Sequence, residues 1–379
     1  MALAPAGDPL LVGVPVGELA AIRTAHEPQA PRRSCGPGRR RPKTLFGVPT
    51  LNANKTAGLG SSRTGQLLSS LRNWAALLVL GLVLSVATEG RFLSATNLEN
   101  ILHQTAINTI LAVGVTFVIL TGGIDLSVGS VLALSGVLLG MALHRTDSAL
   151  VGLLAGMSVG AACGLVNGLA TAVGKAPAFV TTLGMMSAAR GLTLFLTDGQ
   201  SVSRFPDSFQ MLGLGVVPVA GFLVPAPFLV ALTVVLCGAA IVRFTAAGRY
   251  MLALGGSEQA ARLSGVAVVR YKTLVYTLSG LCAGLGAAVL TAKFNSAQTN
   301  AGTGYELDAI AAVVLGGTSL SGGKGSMLGT LSGALLIGVL RNGLNLLRAR
   351  LGLSPHLQDM VIGAILVLTV IVDHHRRRS

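Results

Sequence analysis

From Trp74 onward, apolar runs alternate with short polar or glycine-rich breaks, and most runs carry no charged residue. A hydrocarbon core about 30 Å thick is crossed by about 20 mainly apolar residues in helical form. Inside lipid a chain must satisfy its amides within its own helices. The pattern predicts spans at residues 74–88, 105–121, 127–143, 149–173 and 178–196, then at 221–242, 273–292, 308–321, 327–340 and 358–372. The expected fold is all-α: a polytopic integral membrane protein with about ten transmembrane helices.

Composition agrees with a lipid solvent. Half the chain, 51%, is hydrophobic and only 11% is charged, too little to clothe a water-soluble surface. The 50 glycines count as packing rather than disorder, because small residues let lipid-embedded helices approach closely. A net charge of +14 would suggest nucleic acid in a soluble protein. Here the basic residues lie outside the apolar runs, so they read as topology signals and no nucleic-acid partner is expected.

Positive charge gathers in three places: the segment before Trp74, the connection holding Arg243, Arg249, Arg262, Arg270 and Lys272, and the end at Arg376, Arg377 and Arg378. Cytoplasmic loops retain Lys and Arg, so all three are expected in the cytoplasm. Six spans precede the middle connection and four follow it, which puts both termini on that side. Arg341, Arg348 and Arg350 disagree, falling on the expected outside. Residues 1–73 are basic and rich in Pro and Gly and are expected to be a disordered cytoplasmic tail. Residues 74–373 form the expected transmembrane domain, with 243–272 as a cytoplasmic loop and 374–379 as a basic cytoplasmic end. The first residues lack the charged and apolar regions of a cleavable signal, so the first span is expected to direct insertion.

No catalytic constellation emerges. The histidines form no H-E-x-x-H pattern, and Cys35, Cys163, Cys237 and Cys282 have no metal-site or disulfide spacing. Neither metal nor cofactor is expected. Gly323-Lys324 invites a phosphate-loop reading, but that motif needs Gly where Thr318 stands and Ser or Thr where Gly325 stands. The chain is therefore not expected to be an enzyme or to hydrolyse ATP.

Asp125 lies between two apolar runs with no basic neighbour, and an ionised Asp at mid-bilayer costs roughly 2.5–3.5 kcal/mol. Two compatible readings stand: a helix cap ahead of Ser127, or a break between half-helices facing a polar cavity. Asn167, Thr181, Thr182, Asn295 and Gln298 are neutral polar groups suited to a hydroxyl-rich solute, and interhelical hydrogen bonding is the alternative for each. Gly122-Gly123-Ile124-Asp125-Leu126-Ser127 is echoed by Gly316-Gly317-Thr318-Ser319-Leu320-Ser321. Duplication and chance both remain open. In the basic connection, Ala260, Ala261 and Leu263 fall near one side of a short amphipathic helix, with Glu258 and Arg262 four apart. That helix is either a connector or a docking element.

Residues 74–373 resemble the permease family of monosaccharide ABC importers of the ribose, xylose and galactose type. The resemblance rests on Thr121-Gly122-Gly123-Ile124-Asp125-Leu126-Ser127-Val128-Gly129-Ser130, on Pro177 through Gly184, on Tyr305 through Ala312, and on Gly316 through Gly325. It implies a permease subunit in a cell membrane, working as one of two permease copies with a cytoplasmic ABC ATPase that binds the ATP and an extracytoplasmic sugar-binding protein. It also implies that Gly255, Gly256, Ser257, Glu258, Ala260, Ala261 and Gly265 belong to the loop that docks on the ATPase, with Ser257 where the family often has Asn. A permease for nucleosides or branched-chain amino acids and an ion-coupled secondary transporter are the alternatives. The latter is disfavoured because Asp125 is almost alone as a membrane-buried ionisable group.

Overall fold

The computed structural model describes residues 63–219 and 222–352, with residues 360, 361, 363, 364 and 367 beyond them. Twelve α-helices occur among these residues, and seven of them are long and apolar enough to cross a membrane. The seven are α2 (Ala95–Leu120), α3 (Val128–Thr146), α4 (Ala149–Ala172), α5 (Ala178–Thr197), α7 (Ala226–Phe244), α10 (Val268–Phe294) and α12 (Met327–Leu351). The chain is thus a multi-pass membrane protein. The expected tail lies outside the described residues up to residue 62, and the expected last span lies largely outside them.

Two expectations are corrected. First, α1 is helical over Arg63–Ala87, so the first helix begins before the expected boundary at Trp74, although its apolar stretch is Asn73–Ala87. Arg63, Gln66, Ser69, Ser70 and Arg72 hide that extension from a hydropathy reading, although Gln and Arg are good helix formers. Second, the span expected at 308–321 is α11, Tyr305–Leu315. Its 11 residues reach only about 16 Å, half a hydrocarbon core, before Gly316 and Gly317 end it.

α2 is apolar on all sides and almost wholly buried from Thr105 to Thr121, as befits a helix enclosed by others. Around it pack α7, α10, α11 and α12. α4 buries Gly152, Gly156, Gly160, Gly164 and Gly168 together with Asn167; Gly160, Gly164 and Gly168 face α10, while Gly152 and Gly156 face Leu143 and Leu139 of α3. A Cβ on Gly160 would strike the Gly280 carbonyl oxygen, and one on Gly280 would strike that of Gly160. Backbone meets backbone here, the close approach that small residues permit. The other faces of α4, α5 and α7 expose Leu150, Leu154, Phe179, Phe195 and Leu236, as suits helices in contact with lipid.

Connections gather at two ends of the bundle. At one end the breaks 121–127 and 316–326 meet, with the Gly323 amide donating to the Leu120 carbonyl at 3.0 Å. A cavity lined by Thr121, Lys175, Pro177, Glu258 and Lys272 brings two further connections to the same end. At the other end β1 (Val202–Ser203) pairs antiparallel with β4 (Ser296–Ala297), in the register Val202 to Ala297. α6 (Asp207–Leu214) and the hairpin of β2 (Val216–Val219) and β3 (Phe222–Pro225) lie between β1 and α7 in the chain.

The echo between the two breaks is structural but offset by one residue. Gly122 at φ +79° donates to Ile119 and is followed by Gly123 donating to Val118; Gly317 at φ +86° donates to Val314 and is followed by Thr318 donating to Val313. Each is a left-handed glycine ending a helix. The structural equivalent of Gly122 is therefore Gly317, not Gly316.

Candidate functional site

Asp125 is 1% exposed and sits inside a knot joining four helices. Its Oδ1 accepts hydrogen bonds from the Ser127 amide at 3.0 Å and the Ser127 hydroxyl at 2.6 Å. Its Oδ2 accepts from the Ser279 hydroxyl of α10 at 2.8 Å. Ser127 Oγ in turn accepts from Asn167 Nδ2 of α4 at 2.9 Å. Thr182 of α5 donates within its own helix to Ala178 and reaches the Ile124 carbonyl at 3.4 Å. Three donors offset the desolvation of the carboxylate. The helix-capping residue of α3 is Ser127 itself, so Asp125 tightens the turn ahead of the helix rather than capping its first amides. Ser279 lies about 16 Å along α10 from its start, so the break carries Asp125 back into the bundle.

The six expected pathway residues do not converge on one place. Asp125, Asn167 and Thr182 share the knot, and Thr181 lies beside it, half-buried, with its hydroxyl returned to Pro177 at 3.2 Å. Asn295 and Gln298 lie at the other end of α10, about 24 Å beyond Ser279 along the axis. Asn295 ends that helix in a left-handed conformation, φ 48°, and accepts from the Phe205 amide at 2.8 Å. Gln298 is exposed and lines a cleft with Thr291, Phe294, Ser296 and Tyr305.

That cleft shares Leu290, Phe294 and Tyr305 with a second cavity, which Gln104, Asn108, Lys293, Asp308, Arg341 and Asn345 make polar. Arg341 Nη2 lies 2.8 Å from Asp308 Oδ2. The pairing answers the anomaly of Arg341, since a guanidinium beside a carboxylate is stabilised at either end of a bundle. The sequence reading names Arg341 only as a charge anomaly and Tyr305 and Asp308 only within a motif, and none of these cavity residues as part of a site. Their signal is spacing: Gln104 and Asn108, and likewise Arg341 and Asn345, are four apart and share a helix face. Among the described residues no His, Cys, Asp and Glu group could hold a metal ion.

The basic connection forms α8 (Ala246–Gly256) and α9 (Glu258–Leu263). Ser257 caps α9 by accepting from the Ala260 amide at 3.2 Å, a task that Asn would perform equally. Glu258 bonds Arg262 at 3.0 Å and Lys272 at 2.6 Å. The hydrogen bond from Lys272, helped by that from Arg262, holds its carboxyl below the usual carboxylate range. Ala261 is buried against Leu254, Val268, Val266 and Tyr271, while Ala260 is exposed and Leu263 is 83% exposed. The single apolar side expected for Ala260, Ala261 and Leu263 is thus two faces: Ala261 anchors the helix, and Ala260 and Leu263, three apart, look outward. Gly265, at φ +81°, makes the turn into α10.

Stacked membrane-length helices, polar breaks inside the bundle and an exposed amphipathic element on a basic connection define a membrane permease. The chain belongs to the family described as branched-chain amino acid transport system / permease component, whose model matches residues 97–370. It is 47% identical over 304 residues to the ribose import permease protein RbsC of Escherichia coli (strain K12), covering 80% of this chain and 92% of that one. The ribose import permease protein RbsC of Bacillus subtilis (strain 168) is 44% identical over 313 residues, 82% of this chain and 94% of that one. The L-arabinose transport system permease protein AraH of Escherichia coli (strain K12) is 34% identical over 332 residues, 87% of this chain and 99% of that one.

Proposed function

We propose that this chain is the membrane-spanning permease subunit of an ABC importer for an aldose, with ribose the first candidate. The observation that carries the proposal is the 47% identity spanning 92% of a ribose import permease. The family description mentions branched-chain amino acids, but the relatives cited above are named for ribose and arabinose and a further one for D-allose. A neutral, hydroxyl-rich solute also suits the amide and hydroxyl groups of the interior.

In this reading the chain crosses the membrane ten times, with α11 and the break 316–326 that follows it together making one crossing and residues 358–372 the last. The end bearing Arg243, Arg249, Arg262, Arg270 and Lys272 faces the cytoplasm. Residues 1–73, apart from the start of α1, form a cytoplasmic tail, and residues 374–379 end on the same side. A separate ATPase binds and hydrolyses ATP, and the loop 243–272 meets it through Ala260 and Leu263. A second copy of the permease completes the pathway, and an extracytoplasmic protein delivers the sugar. The permease makes and breaks no covalent bond; it holds two packings whose balance the ATPase shifts.

Uptake in cells lacking aldose import tests the proposal. Expression of the chain with its cognate ATPase and binding protein restores labelled ribose uptake, which unlabelled aldoses inhibit. Uptake of leucine or a nucleoside in preference to any aldose would move the assignment to the corresponding alternative.

A further inference from the structure

Gly255 and Gly256 are neighbours at the end of α8, yet their surroundings differ completely. A Cβ on Gly255 would collide with the Leu120 carbonyl oxygen and the Gly323 amide nitrogen, and would lie 3.0 Å from the Gly322 carbonyl carbon. A Cβ on Gly256 would have nothing within 4 Å. The atoms that Gly255 meets are all backbone, so no side chain can rotate away to make room. They belong to two different breaks, the end of α2 at Leu120 and the turn Gly322-Gly323 before α12.

These two breaks are also fastened to each other. The Gly323 amide donates to the Leu120 carbonyl at 3.0 Å. Gly322, at φ +82°, comes so near that a Cβ there would lie 2.7 Å from the Gly122 nitrogen and 2.8 Å from the Gly255 Cα. Three chain segments therefore meet backbone to backbone at one point. The chain leaving Leu120 runs within five residues to Asp125, whose carboxylate holds Ser127 and Ser279. Close-packed backbone transmits displacement because it cannot be compressed.

We propose that Gly255 is a positioning residue of the transport cycle: it is the hinge contact through which displacement of the α8–α9 loop moves both glycine breaks together, and with them the Asp125 knot. Gly255 thereby acts inside the permease, and the surface that meets the ATPase begins beyond it. The proposal rests on the ABC importer reading above, and the test separates the two. If the unsubstituted assembly shows no ATP-driven uptake, that reading fails before Gly255 is in question.

The test is a matched pair, Gly255→Ala and Gly191→Ala, each reconstituted with the ATPase and binding protein in proteoliposomes. Both substitutions exchange Gly for Ala inside a helix, α8 and α5, so helix propensity changes alike, and a Cβ on Gly191 would have nothing within 4 Å. The expected result is that Gly255→Ala retains the ATPase on co-purification and still hydrolyses ATP, but moves about tenfold less sugar per ATP, within the usual span of coupling energies. Gly191→Ala stays close to the unsubstituted protein in all three readouts. Equal sugar-to-ATP ratios for the two variants would overturn the proposal.

Hydrogen exchange on the unsubstituted assembly tests the same idea without any risk of misfolding. Amides in 121–127, 255–257 and 321–324 change protection in the same nucleotide-dependent step. A change in 255–257 with both breaks unmoved would overturn the proposal equally.

Discussion

Asn97 of α2 and Asn342 of α12 face each other with both amides paired, each Nδ2 lying 2.9 Å from the other residue's Oδ1. Both are buried, and Asn97 also donates to the Phe92 carbonyl at 2.8 Å. In a protein where lipid offers helices no hydrophobic incentive to associate, reciprocal pairs of this kind set which faces meet. Replacing Asn342 by Ala should lower stability in detergent by about 1–2 kcal/mol. The double replacement with Asn97→Ala should cost less than the sum of the two singles. Denaturant titration of the purified variants measures both quantities, and strict additivity would contradict the pairing.

The glycine face of α4 makes a sharper demand. Gly160→Leu places a side chain against the Gly280 backbone and should force α4 from α10, with loss of monodisperse protein in detergent. Gly191→Leu on α5, where nothing lies within 4 Å of the added carbon, should leave the elution profile intact. Size-exclusion chromatography of the two variants decides the matter.

The two faces of α9 separate folding from docking. Leu263→Asp should abolish ATPase co-purification while leaving amide protection in 246–263 unchanged. Ala261→Asp puts a carboxylate among Leu254, Val266 and Val268 and should lose both. If Leu263→Asp keeps full ATPase association, the docking surface lies elsewhere.

Acid should loosen the same loop. Glu258 has its folded pKa depressed below the unfolded value by Lys272 and Arg262. Its stabilising contribution is therefore complete above the unfolded pKa, about 4.3, and is lost as pH falls through the folded pKa. Limited proteolysis of the 245–265 connection should show rising cleavage below about pH 4.3. Glu258→Gln should cleave faster at neutral pH and lose most of that pH dependence.

The breaks and most spans were legible because apolar length and positive-φ glycines are local signals. The break at Gly122 and the loop around Glu258 are written in consecutive residues. The start of α1 at Arg63 was hidden because a helix can leave the hydrocarbon core and continue in polar residues without a change that hydropathy registers. α11 was overextended because apolar residues Val313 to Leu315 run directly into Gly316, and only the left-handed turn at Gly317 reveals where the helix ends. Asp125 was visible as an anomaly, but its partner Ser279 is 154 residues away. Long-range pairing carries no periodicity, so neither that contact nor the meeting of Gly255 with Leu120 and Gly323 could be read from order alone. The four-residue glycine spacing on α4 was available in the sequence, and its reading needed only the rule that small residues line helix contacts.

ATP-driven passage of an aldose through this chain can be measured in proteoliposomes that contain the permease and its ATPase, with the ribose-bound binding protein on the face opposite the ATPase. Labelled ribose should cross only when hydrolysable ATP is present on the ATPase side, and a catalytically dead ATPase should stop it. Ribose movement that continues with the dead ATPase, or that follows an imposed ion gradient, would contradict the account.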